Sequence, residues 1–341
     1  MKAKRLAVTA VLSLSLALLS ACSSGSKDSA VKLQGAGASF PAPLYLKWFK
    51  TYGAAHPNVQ VDYQSVGSGS GVKSFIDKTV DFAASDAAMS PDEIAKVNGG
   101  VQLVPMTAGA IVLAYNLPNV SNLQLSREAY ADIFLGKVTK WNDPIIAKEN
   151  PNVKLPDQAI NVVVRADGSG TSYVFTKHLS AISPEFQQKV GVDKAPNWPV
   201  GTKSKGNEGV TASIKTTPGS IGYIEYGYAK SQDMPMVALE NKSGAYVAPT
   251  PDSAKAALAS AQLPDNMIVW VSDPDGATSY PIVTFTWMCF YKQYPDKGKL
   301  DALKALAIYG LTDGQKDADA LGYVPLPDTI ASKGQAAINA L

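Results

Sequence analysis

Val164-Arg165-Ala166-Asp167-Gly168-Ser169-Gly170-Thr171-Ser172 decides how this chain is read. The apolar, β-branched run Ile160–Val164 leads into it as a buried strand. The Gly-Ser-Gly-Thr that follows opens a helix. An arginine therefore ends a strand, and hydroxyls and free backbone N–H groups begin a helix a few residues later. A guanidinium offers a fixed fork of donors that suits a tetrahedral oxyanion. Ser169, Gly170 and Thr171 would add hydroxyl and amide donors at a helix N-terminus, a natural anion site. An Arg165–Asp167 ion pair beside a capped helix explains the same residues equally well.

Similar strand, loop and helix passages lie upstream. Gly35-Ala36-Gly37-Ala38-Ser39-Phe40-Pro41 precedes the helix-like Ala42–Tyr52, and its small residues let a ligand approach the backbone. Gly67-Ser68-Gly69-Ser70-Gly71 separates the alternating strand Val59–Gln64 from a helical stripe at Val72, Phe75, Ile76 and Thr79. Val80-Asp81-Phe82-Ala83-Ala84-Ser85-Asp86 is a small-residue strand closed by Asp86, where ligands of open α/β sheets collect. Taken singly, each could be a simple helix cap, Asp86 included. Together, three Gly/Ser loops, one arginine and one aspartate converge on an anion held by amides, hydroxyls and a single guanidinium.

The rest of the chain alternates strand and helix. Pro91 opens a helix with Ser90 as its N-cap. Val101–Pro105 and Ala110–Tyr115 read as two buried strands. Helices are expected near Ser126–Leu135 and Asn207–Thr217, with the strand Ile221–Ile224 behind the second. Lys299–Tyr309 and Pro327–Leu341 are helix-like. This pattern predicts an α/β architecture with mostly parallel sheets, and 341 residues suggest two domains.

Charge excludes some functions. Lys and Arg total 31 against 29 Asp and Glu, so a nucleic-acid binder is not expected. Only two histidines, His56 and His178, are present, too few for a histidine-rich metal centre. No Gly-x-Ser-x-Gly elbow, Walker A loop or dinucleotide fingerprint occurs. The chain is read as a binding protein and not an enzyme, with no cofactor.

The N-terminus carries Lys2, Lys4 and Arg5, then an apolar run from Leu6 to Ala21, the pattern of a secretory signal peptide. It ends Leu19-Ser20-Ala21-Cys22, which resembles a bacterial lipobox with Cys22 as the lipidated residue. The short polar stretch after it suits a tether. Removing residues 1–21 leaves 28 positive and 29 negative side chains, so any anion selectivity must be local. Cys289, in the apolar run Thr284–Tyr291, is expected to be a buried, inert thiol.

Further motifs fall in order along nearly the whole mature chain. They are Leu135–Trp141 (LGKVTKW), Gly206–Gly209 (GNEG), Pro218–Tyr226 (PGSIGYIEY) and Tyr323–Asp328 (YVPLPD). With the four passages above, they resemble the phosphate-binding proteins of bacterial Pst ABC transporters. The resemblance implies an α/β, two-lobed periplasmic-binding-protein (type II) fold, each lobe a mixed β-sheet flanked by helices, joined by two crossover strands. It implies lobe I at residues 31–107 plus 284–341, lobe II at 108–283, a signal peptide at 1–21 and a tether at 22–30. It further implies inorganic phosphate bound between the lobes by Ser39, Phe40, Ser68, Asp86, Arg165, Ser169, Gly170 and Thr171, with Asp167 supporting Arg165. Ser39 stands where threonine is common, which keeps the hydroxyl. Gly69-Ser70 stands where the loop often reads Ser-Gly. The implied partners are the permease and ATPase subunits of the transporter and, through Cys22, the membrane. A monomer facing the periplasm or the cell exterior is expected.

Asp86 bears on which oxyanion is taken. Phosphate near neutral pH keeps a proton to donate, and a carboxylate can only accept. Sulfate has no such proton and would meet Asp86 as an uncompensated like charge in a dry cleft. Another tetrahedral oxyanion, sulfate or molybdate, is the alternative ligand, and a non-transport extracellular protein is the alternative role.

Overall fold

The computed structural model describes residues 30–259 and 261–341. The signal-peptide and Cys22 readings, and nearly all of the tether, lie outside the described residues. Eleven strands are present among them: β1 Val31–Gly37, β2 Val59–Ser65, β3 Phe82–Ser85, β4 Val101–Asn116, β5 Gln124–Leu125, β6 Asn161–Arg165, β7 Thr202–Ser204, β8 Ser220–Glu225, β9 Ala238–Glu240, β10 Tyr246–Val247 and β11 Val283–Tyr291. The helices are α1 Ala42–Ala55, α2 Ser68–Ile76, α3 Pro91–Ala95, α4 Arg127–Phe134, α5 Pro144–Ala147, α6 Gly170–Ile182, α7 Pro184–Lys189, α8 Gly206–Thr216, α9 Tyr226–Ser231, α10 Pro251–Leu258, α11 Lys297–Leu311, α12 Ala318–Leu321 and α13 Asp328–Asn339.

One strand belongs to two sheets. The two strands expected at Val101–Pro105 and Ala110–Tyr115 are a single 16-residue strand, β4. Its first part pairs antiparallel with β11, and Ile111–Asn116 pairs antiparallel with β8. Hydrophobic pattern alone could not show this continuity, because the Thr107-Ala108-Gly109 that separates the two apolar runs is as buried as they are. The order β2-β1-β3-β11-β4 makes the first sheet, and β4-β8-β6-β7 the second. The sheets are mixed and not mostly parallel, since β4 and β11 run against their neighbours. A small sheet, β10-β9-β5, flanks the second.

Each sheet has its own aromatic core. Tyr45, Phe49, Tyr63 and Phe82 pack together on the first. Phe134, Phe175, Trp198 and Tyr223 pack on the second. Ser90 caps α3 in a full capping box with Glu93, as its sequence suggested. Cys289 is fully buried, and burial pushes its thiol up to about 12, so it is inert at neutral pH.

Parallel strands point their C-terminal ends the same way, and helices that follow them begin there. β1, β2 and β6 lead into α1, α2 and α6, and β7 leads into α8. Four helix N-termini are thereby delivered to one region, and β3 ends there with Asp86.

Candidate functional site: an anion cleft between two sheets

The elements of the two sheets meet across a buried seam. The Gly69 amide donates to Gly168 O at 2.8 Å. Ser39 Oγ accepts from both the Asn207 amide, at 3.0 Å, and Asn207 Nδ2, at 2.9 Å. Tyr228 Oη donates to Ser39 O at 2.7 Å. On the rim, Lys194 pairs with Glu93 at 2.8 Å. Ser39, Ser68, Asp86, Arg165, Ser169 and Thr171 are all buried along this seam.

Their hydrogen bonds have a common direction. Ser39 Oγ accepts from Asn207, Ser68 Oγ from the Asp86 amide at 3.3 Å, and Ser169 Oγ from the Ser172 amide at 3.0 Å. Thr171 Oγ1 accepts from Arg165 Nη1 and from Asn207 Nδ2, each at 3.3 Å. A hydroxyl has one hydrogen and two lone pairs. In all four, protein donors occupy lone pairs, and among the described residues no protein acceptor takes the hydrogen. The amides of Phe40, Gly170 and Thr171 also meet no protein acceptor among the described residues. The α1, α2, α6 and α8 N-termini add the positive ends of their dipoles.

Arg165 lies at the end of β6. Its Nε and Nη2 grip both oxygens of Asp167, at 2.9 and 2.5 Å. Burial alone would raise Asp167, but the guanidinium outweighs it and holds the carboxyl below its ordinary range. The Gly206 amide donates to the same carboxylate at 3.0 Å. So the ion pair of the bland reading is real, and it leaves Nη1 pointing toward Thr171. The guanidinium's charge is thereby balanced, and donor dipoles must supply most of the site's attraction for an anion.

Asp86 does not cap the next segment. Its Oδ1 accepts from Thr286 Oγ1 at 2.8 Å. Its Oδ2 lies where a Gly170 side chain would be, 2.7 Å from an ideal Cβ. Burial pushes its carboxyl up to about 7, against the Thr286 hydroxyl and the Arg165 charge, which pull it down. The site thus combines many donors with one buried acceptor.

The structure brings together every residue expected at the site, Phe40 through its backbone amide. It also adds two that carried no role in the sequence. Asn207, the second residue of Gly-Asn-Glu-Gly, ties Ser39 to Thr171 while its Oδ1 accepts from the Glu225 amide at 2.9 Å. Thr286 was legible only as one of two hydroxyls, with Thr284, inside a mainly apolar strand, where a buried polar group must find a partner.

Gly170 is a tight point of the seam. A Cβ there would meet Ser68 Oγ at 2.6 Å, Asp86 Oδ2 at 2.7 Å and the Ala87 amide at 2.8 Å. Gly170→Ala should fold, because this residue is helical, but it should oppose closure. Overpacking costs about 1–3 kcal/mol, so affinity for the ligand should fall roughly 5- to 150-fold. Calorimetry together with an unchanged thermal midpoint of the ligand-free protein checks this; undiminished affinity would show that the lobes need not meet here.

A family model described as a PBP superfamily domain matches residues 23–313. The Pasteurella multocida phosphate-binding protein PstS is 42% identical over 308 residues, which cover 89% of each chain. The chain belongs to the PstS family of phosphate-binding proteins. Solved structures extend the match to the fold. A high-affinity periplasmic phosphate-binding protein aligns with TM-score 0.74 at 20% identity, over 90% of this chain and 93% of that one. The phosphate-binding protein of Stenotrophomonas maltophilia aligns with TM-score 0.73 at 20% identity, over 90% and 94%. The PstS-family chain is therefore two-lobed, and β4 pairs with strands of both sheets. Among its described residues no helix is long and apolar enough to cross a membrane, and no group of three or more His, Cys, Asp or Glu side chains could hold a metal.

Proposed function

We propose that this protein binds inorganic phosphate between its lobes and delivers it to an ABC transporter for import. One observation carries the reading. Four buried hydroxyls, of Ser39, Ser68, Ser169 and Thr171, accept from the protein and keep their hydrogens free around a single buried acceptor, Asp86. Such a site suits an oxyanion that has kept one proton. Ser39, the Phe40 amide, Ser68, Asp86, Arg165, Ser169, Gly170 and Thr171 are the proposed contacts, with Asp167 and Asn207 orienting them. The names of the relatives support phosphate as the ligand.

Lobe I is assigned to residues 31–107 and 284–341, and lobe II to 108–283. The joins then fall in β4 and beside β11, so closure is a hinge motion about these strands. Within lobe II, the stretch near Leu263–Met267 lies against lobe I. Lys333 of α13 donates to Leu263 O and Trp287 of β11 to Met267 O, each at 2.8 Å. Export, acylation of Cys22, a monomeric state and the absence of catalysis complete the proposal; the periplasmic phosphate-binding protein among the similar structures supports export, and the binding-protein names support a role without catalysis.

Calorimetry with residues 23–341 tests the ligand. Phosphate should bind one to one, with no heat from sulfate. Equal sulfate binding would keep the fold and overturn the selectivity. No oxyanion binding by folded, ligand-stripped protein would overturn the reading.

A further inference from the structure

Thr286 is buried in β11 and touches none of the donor hydroxyls, yet it holds the one acceptor of the site. The sheet register sets the contact. Trp287 lies opposite Ser85 in the antiparallel β3–β11 pair, so the next position along places Thr286 opposite Asp86. Directly opposed residues on antiparallel strands are near neighbours. The pairing with β4 shifts at the same point, from Thr286 opposite Thr107 to Trp287 opposite Pro105. Pro105 has no N–H for the ladder, and the resulting bulge at Met106 sits beside the site, where bulges redirect side chains.

The consequence is chemical. Thr286 has a single hydroxyl hydrogen, and it is committed to Asp86 Oδ1 at 2.8 Å. An oxygen that accepts this bond is poorly placed to carry a proton itself. Oδ2, on the cleft side against Gly170, is left to face the ligand. Resting on the phosphate reading above, we propose that Thr286 is a positioning residue for oxyanion selectivity: its hydroxyl keeps Asp86 an ionised acceptor with Oδ2 toward the ligand. Without that hydroxyl, Asp86 protonates more readily and becomes a donor, which a fully deprotonated oxyanion such as sulfate can accept.

The groups around Asp86 leave Thr286 a distinct part. Arg165 favours the ionised carboxyl and Asp167 opposes it. Glu225, at the end of β8, is raised well above the usual carboxylate range by burial. Tyr45, Tyr63, Tyr228 and Tyr323 are raised by burial and Cys289 with them, so none ionises near neutral pH. Among the described residues, the Thr286 hydroxyl is the one neutral side-chain donor to Asp86 Oδ1.

The test uses the exported protein, with inorganic phosphate and sulfate titrated by calorimetry from pH 5.5 to 8.5. Wild type, Thr286→Val, Thr286→Ala and Thr286→Ser are compared. The two hydroxyl-free variants should lose sulfate discrimination at pH 8 by about five- to tenfold, because an Asp86 that titrates at about 7 is already about one-tenth protonated there. The pH below which sulfate is accepted should move upward by one to two units, about as much as that bond. Thr286→Ser should restore the wild-type profile. A purely structural role would lower affinity for both anions without moving the profile. Thr286→Ala fills less space than valine, so it carries the test if valine does not fold. Hydroxyl-free variants with wild-type discrimination at every pH would overturn the role of Thr286 alone. Wild type that binds no phosphate would overturn the phosphate reading, and this proposal with it.

Discussion

Arg165→Ala is expected to weaken phosphate binding by about 2–5 kcal/mol, or roughly 30- to 5000-fold. Two effects add. The guanidinium fork closes the lobe II side of the site and donates to Thr171. Its removal also leaves the buried Asp167 carboxylate without its partner, close to an anionic ligand. An unpaired buried charge is costly in itself. The double variant Arg165→Ala/Asp167→Asn separates the two, because it removes the stranded charge as well. It should bind phosphate more tightly than the single variant and less tightly than wild type. Calorimetry on the three proteins decides it. A single variant within threefold of wild type would move the site away from Arg165.

Asp86→Asn should admit sulfate. The amide is nearly isosteric with the carboxylate, carries no charge and can donate. With Asp86 titrating at about 7, about one-thirtieth of it is already protonated at pH 8.5, so removing the charge should raise sulfate affinity there by roughly 30-fold. Wild-type selectivity should depend on pH, with a definite sign. Burial pushes Asp86 up to about 7. Above that pH the carboxylate is ionised and repels sulfate; as pH falls through about 7 it protonates, becomes a donor, and rejection fades. The side-chain amide of the Asp86→Asn variant does not titrate, so its sulfate affinity should be flat across the same range. Competition of sulfate with labelled phosphate from pH 5.5 to 8.5 measures both. An asparagine variant that binds phosphate and excludes sulfate as fully as wild type would show that selectivity lies elsewhere.

Local chemistry made much of the molecule legible in its sequence. The strand before Arg165, the helix after Gly170 and the Ser90 cap of α3 are nearest-neighbour matters: β-branched runs, glycine turns and capping side chains act within a few residues. The donor hydroxyls of the site were legible for the same reason, because they sit in Gly/Ser turns at three helix N-termini. Ser39, Ser68, Ser169 and Thr171 needed no knowledge of the fold to be suspected.

Relations between distant segments could only be decided by tertiary structure. Arg165–Asp167 was evenly balanced between ion pair and anion site, and the fold makes it both, since Nε and Nη2 take the aspartate and Nη1 faces Thr171. Asp86 resembled an N-cap until the pairing of β11 with β3 brought Thr286 to it from 200 residues away. The continuity of β4 through Thr107–Gly109, and hence the link between lobes, depends on partners in β11 and β8. Asn207 joins the site only because the fold sets α8 against Ser39. Donors are placed by local turns and follow from composition. The acceptor's protonation, and so the choice of anion, depends on burial and on a hydroxyl from another strand, which no stretch of sequence near Asp86 contains.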